Sequence, residues 1–576
     1  MDALRSLISN SRWSPASVFE LERGARIIAD SDGGPCRSLL LLTPGFSLSL
    51  NISTLAAVGY CDREERAFIP PSPMVTICVD AGTSLIKTVA FDEEGTEITL
   101  ARQETTVLRP VSGFSEQDMR SVWEATASTI RGVVRQLTEP VRLISLTAQG
   151  DGCWLVDADG RPTGPAILWN DARAADTVDR WREAGILTQA FHLNGSQAFA
   201  GLPNAIFTWL QQHDPDRLKR SAKALCCNGW IFYNLTGRMA IDESDAAVPF
   251  FDVRARRYSE ALLELYGLEW AERLLPEVLP HNQRVGALQA SVANDLGLPA
   301  GLPVVMAPYD VVTTAIGVGV ATAGQACSIL GTTLCTEVVV SEVNLEREPS
   351  GLTLPFGPPG LFLRAFPTLA GSEVIHWYIK QFGLVGPGDL SLLAADGAPG
   401  AEGLLFLPYL SPAGERVPFL NTGARGSLFG LSFEHGREQI ARALLEGLSL
   451  VIRECFEVAQ ESSSSPTTCG LCGGGANSDV WCQMIADVTG IPTSRPVDQE
   501  VGTKGAFIVG LVALGIEPDF ASATKRFVRV RDVFEPNGER HLRYDGLFGQ
   551  FLAVREAALP IWKRMAADRT ALLQTK

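Results

Sequence analysis

Val75-Thr76-Ile77-Cys78-Val79 leads into Asp80-Ala81-Gly82-Thr83-Ser84, and Lys87-Thr88-Val89-Ala90-Phe91-Asp92 follows before Glu93-Glu94-Gly95 turns the chain again. Two β-rich runs flanking a short Gly-Thr-Ser turn predict a hairpin, not a strand feeding a helix. Its tip sets backbone N–H groups and hydroxyls side by side, which suits a terminal phosphate. Asp80, at the end of the first strand, carries the hard oxygen that can hold magnesium through water. Any tight hairpin would use similar residues, so this stretch alone leaves both readings open.

A second copy of the design lies far downstream. Gln325-Ala326-Cys327-Ser328-Ile329-Leu330 reads as a strand, Gly331-Thr332-Thr333 as its turn and Leu334 to Val340 as the return strand. Two such hairpins in one chain point to internal duplication, with two halves closing on a shared phosphate. A third cluster, Gly473-Gly474-Gly475-Ala476-Asn477-Ser478, precedes Val480, Trp481, Met484, Ile485 and Val488, apolar positions at helical spacing that end near Gly490. Glycines at a helix entrance let the backbone lie against an anionic or planar ligand. A tight strand-to-helix turn explains one of the three but not all. In Val304-Val305-Met306-Ala307-Pro308-Tyr309-Asp310, an apolar strand ends on a carboxylate just where a helix over Val311 to Gly317 is expected. Such a carboxylate either faces the cleft of an open α/β sheet or caps the helix.

Composition narrows the chemistry. The chain has 576 residues, 46% hydrophobic and 20% charged, an ordinary globular balance. With 49 basic against 65 acidic side chains the net charge is -16. That argues against a general nucleic-acid binder or a protein held on anionic lipid. If the protein handles a polyanion such as ATP, it should do so with backbone amides and a metal rather than with a broad basic patch. The 12 cysteines and six histidines follow no zinc spacing; Cys469-x-x-Cys472 has no second pair, and reduced thiols of a cytoplasmic protein are expected. Zinc-protease, hydrolase-elbow and P-loop motifs are absent.

Residues 1–73 read differently from the rest. The patchy apolar stretch from Ser38 to Tyr60 is broken by Pro44-Gly45 and Asn51, too short a run to span a membrane. Asp2 at the start argues against a secretory signal, and Glu20, Glu22, Asp30 and Asp32 against a transit peptide. Pro70-Pro71-Ser72-Pro73 reads as a linker. Met74, directly before the first clean strand, is therefore read as the natural start, with 1–73 as a poorly ordered extension.

Taken together, these segments resemble the FGGY family of carbohydrate kinases, within the actin-like ATPase superfamily. The resemblance runs from Met74 to about Arg555. It rests on Asp80 to Lys87, the acidic segment Gly113-Phe114-Ser115-Glu116-Gln117-Asp118, and Pro165-Ala166-Ile167-Leu168-Trp169-Asn170-Asp171-Ala172-Arg173. It rests also on Asp310, Gly331-Thr332-Thr333, Gly473 to Asn477, and Gly426-Ser427-Leu428-Phe429-Gly430-Leu431 continuing to Ala443 and Glu446, where Leu444 departs slightly.

The resemblance implies an α/β fold of two ribonuclease-H-like lobes with the active site in the cleft between them. The sugar-binding lobe is placed at 74–320, the ATP-binding lobe at 321–560 and a tail at 561–576. Gly82, Thr83, Ser84, Lys87, Gly331, Thr332, Thr333, Gly473, Gly474, Gly475 and Asn477 are implied to bind ATP and its phosphates, Asp80 to anchor Mg2+, and Asp310 to act as base. Gln149, Asp151, Trp169, Asp171, Arg173 and Asp310 are the substrate candidates. Gln149-Gly150-Asp151-Gly152 matches neither the Arg-Glu pair of glycerol kinases nor the Met-His of D-xylulose kinases. It looks more like kinases of L-xylulose, 3-keto-L-gulonate or erythritol, so a pentulose of the L-xylulose type is expected, with a sugar alcohol such as erythritol as the alternative. An actin-like ATPase or chaperone and a silent sugar sensor are the readings outside this class; neither needs both Asp310 and an intact Trp169 to Arg173 segment. The expected partners are sugar and ATP, with no nucleic acid and no membrane, and a homodimer is left open.

Overall fold

The computed structural model describes residues 17–21, 25–30, 38–43, 46–51, 74–460 and 465–574. Within the N-terminal extension, β1 (Ser17–Leu21), β2 (Ala25–Asp30), β3 (Ser38–Thr43) and β4 (Phe46–Asn51) form an antiparallel meander. Among the described residues these strands pair only with one another. The Pro70–Pro73 linker lies outside the described residues.

The body of the chain is built on two sheets of one plan. In the first, β5 (Val75–Ala81), β6 (Leu85–Phe91) and β7 (Glu97–Glu104) run as an antiparallel meander. β8 (Val141–Ala148) and β10 (Pro303–Met306) then add in parallel on the far side of β5. β9 (Val285–Ala287) closes the edge, giving the order β9-β10-β8-β5-β6-β7. β5 is central, and Val75, Ile77, Cys78 and Val79 are all buried, which is why it reads as an unbroken apolar run. β7 lies at the edge and carries Glu97, Arg102 and Glu104, charges that discourage pairing with another chain. Helix α1 (Met119–Val134) starts at Asp118, whose carboxylate accepts the Ser121 N–H at 2.7 Å. It buries Met119, Val122, Ile130 and Val133 along one stripe.

The second sheet repeats the plan. β11 (Gln325–Leu330), β12 (Leu334–Val340) and β14 (Phe362–Pro367) form the meander, and β13 (Leu352–Pro355) pairs outside β14. β15 (Thr468–Cys472) and β16 (Thr493–Pro496) add in parallel, with β17 (Val530–Phe534) at the edge. Helix α3 (Arg437–Ala459) lies in the core of this half. Helix α4 (Asp479–Thr489) follows the glycine cluster and ends on Gly490 at φ 74°, as its spacing predicts.

Two equivalent helices join the halves. α2 (Asp310–Gly317) follows β10, and α5 (Val501–Ala513) follows β16. They cross with backbones almost touching: a β-carbon on Gly317 would lie 1.8 Å from the Val501 carbonyl oxygen, and one on Gly505 1.8 Å from that of Thr313. α5 also lies on the first sheet, where the Ser145 hydroxyl donates to the Ala506 carbonyl at 2.6 Å. Its Val501, Phe507 and Ile508 belong to the same apolar core as β5 and β8. The last helix, α6 (Gly538–Gln574), runs on through the residues read as a tail. Trp562 within it is 2% exposed, with its ring 5.8 Å from Tyr409. Among the described residues no helix is long and apolar enough to cross a membrane.

Candidate active site

The β5–β6 turn is closed by Gly82, whose N–H donates to the Leu85 carbonyl at 3.1 Å. This puts Asp80 opposite Lys87 in the ladder. The Thr83 hydroxyl does not stand free at the tip. It donates to Gln149 Oε1 at 2.7 Å and accepts from the Trp169 indole N–H at 3.0 Å. Gln149 in turn donates to Gln117 Oε1 at 2.8 Å, and Gln117 donates to the Thr83 carbonyl at 2.8 Å. A closed ring of hydrogen bonds thus ties the first turn to the substrate candidates Gln149 and Trp169. Ser84 is exposed, and its carbonyl accepts from Thr105 N–H at 3.1 Å.

Asp171 and Arg173 are turned toward each other. Asp171 accepts from the Arg173 N–H at 2.8 Å, from its Nε at 2.9 Å and from the Ser115 N–H at 2.7 Å. Arg173 also pairs with Glu116 at 2.6 Å and lies over the Phe114 ring. These two side chains brace the segment that presents Trp169. Asp151 sits in left-handed backbone at φ 58° between two buried glycines. Burial pushes its carboxyl up to about 7, with the Arg416 charge working against the rise.

The second turn is supported from below: Ser372 and Glu373 donate their N–H groups to the Gly331 and Thr332 carbonyls at 3.0 and 3.1 Å. In the third cluster the glycines divide by role. Gly473 adopts φ 84°, with its β-carbon position 2.9 Å from the Leu330 backbone, and a β-carbon on Gly475 would lie 2.3 Å from the Trp481 ring. Packing demands these two. Gly474 has nothing within 4 Å and faces open space. It lines a cleft of about 280 Å³ with Lys87, Asn477, Arg495 and Glu500. The Lys87 ammonium is ion-paired there with Glu500 at 2.8 Å, and Arg102 pairs with the same carboxylate.

Asp310 opens α2, and its Oδ1 accepts the Val311 N–H at 2.8 Å. Its carboxyl is pushed up to about 8, first by burial and then by the Asp80 charge. Asp80 rises to about 6 for the same first reason, with Lys87 lowering it and Glu500 raising it. Among the described residues no cluster of three or more His, Cys, Asp or Glu is arranged to hold a metal ion. A magnesium–nucleotide site needs none, since one or two carboxylates with the phosphates suffice. Asp80 fits that part: it is half-buried, opposite the cleft residue Lys87 in the ladder, and next to the start of α5 at Gly502.

Residues 75–317 match the N-terminal domain of the FGGY family of carbohydrate kinases, and 326–514 match its C-terminal domain. The chain belongs to the FGGY family. Erythritol kinase of Brucella abortus is 31% identical over 86% of this chain and 98% of its own length. Xylulose kinase of Escherichia coli is 30% identical over 84% and 99%. The crystal structure of a ligand-bound xylulose kinase from Lactobacillus acidophilus, 22% identical, superposes with a TM-score of 0.80 over 85% of this chain and all of that one, and shows the fold. As an FGGY kinase the protein is an ATP-dependent enzyme that phosphorylates a carbohydrate.

Three further side chains that contact the candidate residues carry no signal of their own in the sequence. Gln117 reads as part of an acidic segment, yet it is buried and bridges Thr83 to Gln149. Glu500 is the shared partner of Lys87 and Arg102, and nothing local to it signals a partner on β6. Arg416 comes from the second half, donates to the Pro367 carbonyl at 2.6 Å, and sets its guanidinium 5.9 Å from the Trp169 ring and 5.4 Å from that of Phe199. A lone Gly-Glu-Arg in a loop carries no such message.

Proposed function

We propose that the protein transfers the γ-phosphate of ATP to a primary hydroxyl of a xylulose-type pentulose, with L-xylulose preferred. The observation that carries the reading is Asp310, a carboxylate at the start of α2 whose Oδ1 accepts the Val311 N–H; burial and the Asp80 charge push it up to about 8. A base with that proton affinity takes the hydroxyl proton as the sugar oxygen attacks the γ-phosphorus and the bond to the ADP oxygen breaks. Gln149, Asp151 and Trp169 position the sugar, while Asp171 and Arg173 hold the Trp169 segment. Gly82, Thr83, Ser84, Lys87, Gly331, Thr332, Thr333, the glycines 473–475 and Asn477 line the path for ATP. Asp80 is the residue that would hold Mg2+, which supplies charge neutralisation on the phosphates when bound. Closure of the cleft keeps out water, the competing acceptor. The ten described cysteines are buried thiols, which supports a reducing, cytoplasmic setting.

A second reading, phosphorylation of erythritol, is favoured by the 31% identity to the Brucella enzyme over nearly all of that protein. Both are tested by one panel: ADP release from purified protein with L-xylulose, D-xylulose, erythritol and glycerol. L-xylulose, or erythritol on the second reading, should lead in kcat/KM. A tenfold advantage for glycerol or D-xylulose overturns both, and acceptor-independent turnover would favour an ATPase.

A further inference from the structure

Glu500 stands directly before α5, where an acidic side chain can cap the helix it precedes, yet its carboxylate makes no capping hydrogen bond. Its backbone is held in place instead: the Glu500 carbonyl accepts from the Thr503 hydroxyl at 2.8 Å and from the Lys504 N–H at 3.0 Å. The side chain crosses to the first sheet. There it pairs with the Lys87 ammonium at 2.8 Å and with Arg102. Lys87 and Arg102 are direct partners in the β6–β7 ladder, so two neighbouring cations share one carboxylate.

The three groups differ in how firmly they are committed. The Glu500 side chain is 8% exposed, that of Lys87 28% and that of Arg102 50%. Lys87 and Glu500 both line the cleft of about 280 Å³, together with Gly474 and Asn477 of the second half. An ammonium carries three N–H donors on a flexible stem, so a phosphate entering this cleft meets Lys87 beside its present partner. Phosphate and Glu500 then compete for one cation. A buried carboxylate stripped of all its partners is costly. Glu500 escapes that cost, because Arg102 stays with it when Lys87 turns away. The Lys87–Glu500 pair can therefore open and re-form.

Resting on the ATP reading of this cleft, we propose that Glu500 is a positioning residue that competes with the nucleotide phosphates for Lys87 and so loosens the hold of the site on ADP. With ATP bound, Lys87 turns to the phosphates and Glu500 rests on Arg102. Once the γ-phosphate has gone to the sugar, ADP offers Lys87 less negative charge, and Glu500 takes the ammonium back. The fold thus keeps an anion of its own beside the place that the product nucleotide must vacate. Release of product is the slow step in many enzymes, so an internal competitor for the product's cation bears directly on turnover.

The test is a double-mutant cycle read as the ADP dissociation constant, by titration calorimetry of the full chain with magnesium present. Lys87→Met should weaken ADP binding. Glu500→Gln should tighten it about tenfold, whereas a merely structural role would weaken it. In the Lys87→Met background, adding Glu500→Gln should change the constant by less than about threefold, since no cation is left to release. Arg102→Gln alters a half-exposed side chain and leaves Glu500 to Lys87 alone. It should weaken ADP binding about threefold, and it carries the test if Glu500→Gln folds poorly. Unchanged or weaker ADP binding in folded Glu500→Gln, a tightening that survives in full without Lys87, or unchanged binding in Arg102→Gln overturns the assignment while the ATP reading stands. A wild-type protein that does not bind ADP would overturn both.

Discussion

In the first half of the molecule the β5–β6 turn gives its Thr83 hydroxyl to Gln149 and Trp169. In the second half the β11–β12 turn is braced through its backbone carbonyls, and Thr332 stays exposed at the tip. The strands around the two turns follow one plan, yet the first turn spends its threonine hydroxyl on neighbouring side chains while the second holds its threonine exposed. The helices diverge in the same way. α2 begins with Asp310, the proposed base, whereas the equivalent α5 begins beside Asp80 and packs into the core of the first half. Duplication explains the shared backbone. The proposed division of chemistry rests on side chains that differ at matching places.

The largest effect expected from breaking this division is at Asp310. Asp310→Asn keeps the shape but cannot take a proton, so kcat should fall about 10²–10⁴-fold with ATP still bound. Turnover above about a tenth of wild type would remove Asp310 from its role. The same residue sets a pH signature. Because the deprotonated form acts and its proton is held to about 8, kcat/KM should decline as pH falls below about 8. Stability runs the other way. A carboxyl raised from 3.8 to about 8 favours the folded state fully below its ordinary value, and this contribution is lost as pH rises through about 8. Unliganded Asp310→Asn should therefore melt above wild type at pH 8 and close to it at pH 4, as read by calorimetry.

The glycines of the two helix junctions sharpen the contrast between packing and binding. Gly317→Val forces a side chain onto the Val501 carbonyl 1.8 Å away, where backbone cannot yield. A loss of at least about 1–3 kcal/mol in denaturant unfolding is expected. Gly474→Ala meets nothing within 4 Å. It should stay within about 0.5 kcal/mol of wild type and show its effect in the ATP KM instead. Equal losses of stability would mean that the open face of Gly474 is not a ligand surface.

Smaller effects should separate the two turns. Thr83→Ala strands Gln149 Oε1 and the Trp169 N–H, and should cost about tenfold in the sugar KM. Thr332→Ala strands neither group and should act on the ATP KM. If both variants shift the same KM, the turns have not divided the work. The smallest effect is expected from a chain starting at Met74. Strands β1–β4 pair only with one another among the described residues, so its kinetics and melting temperature should match the full chain within error. Aggregation or lost activity of the shortened chain would show that residues 1–73 support the kinase.

Both hairpins, the helix after the glycine cluster and the helix starting at Asp310 were legible in the sequence, because each is specified by neighbours a few residues apart: alternating apolar residues, a glycine at the turn, a carboxylate at a strand end. The family followed from the order of those local signals. What the tertiary structure alone decided is which side chains meet. Gln117 with Gln149, Lys87 with Glu500 and Arg416 over Trp169 are joined across large sequence separations, and no local pattern encodes them. The three adjacent glycines look alike in the chain, but packing separates Gly473 and Gly475, which neighbours crowd, from Gly474, which faces the cleft. Asp245 likewise reads as one more acid in an acidic turn until the fold buries it, since burial is a property of the assembled fold.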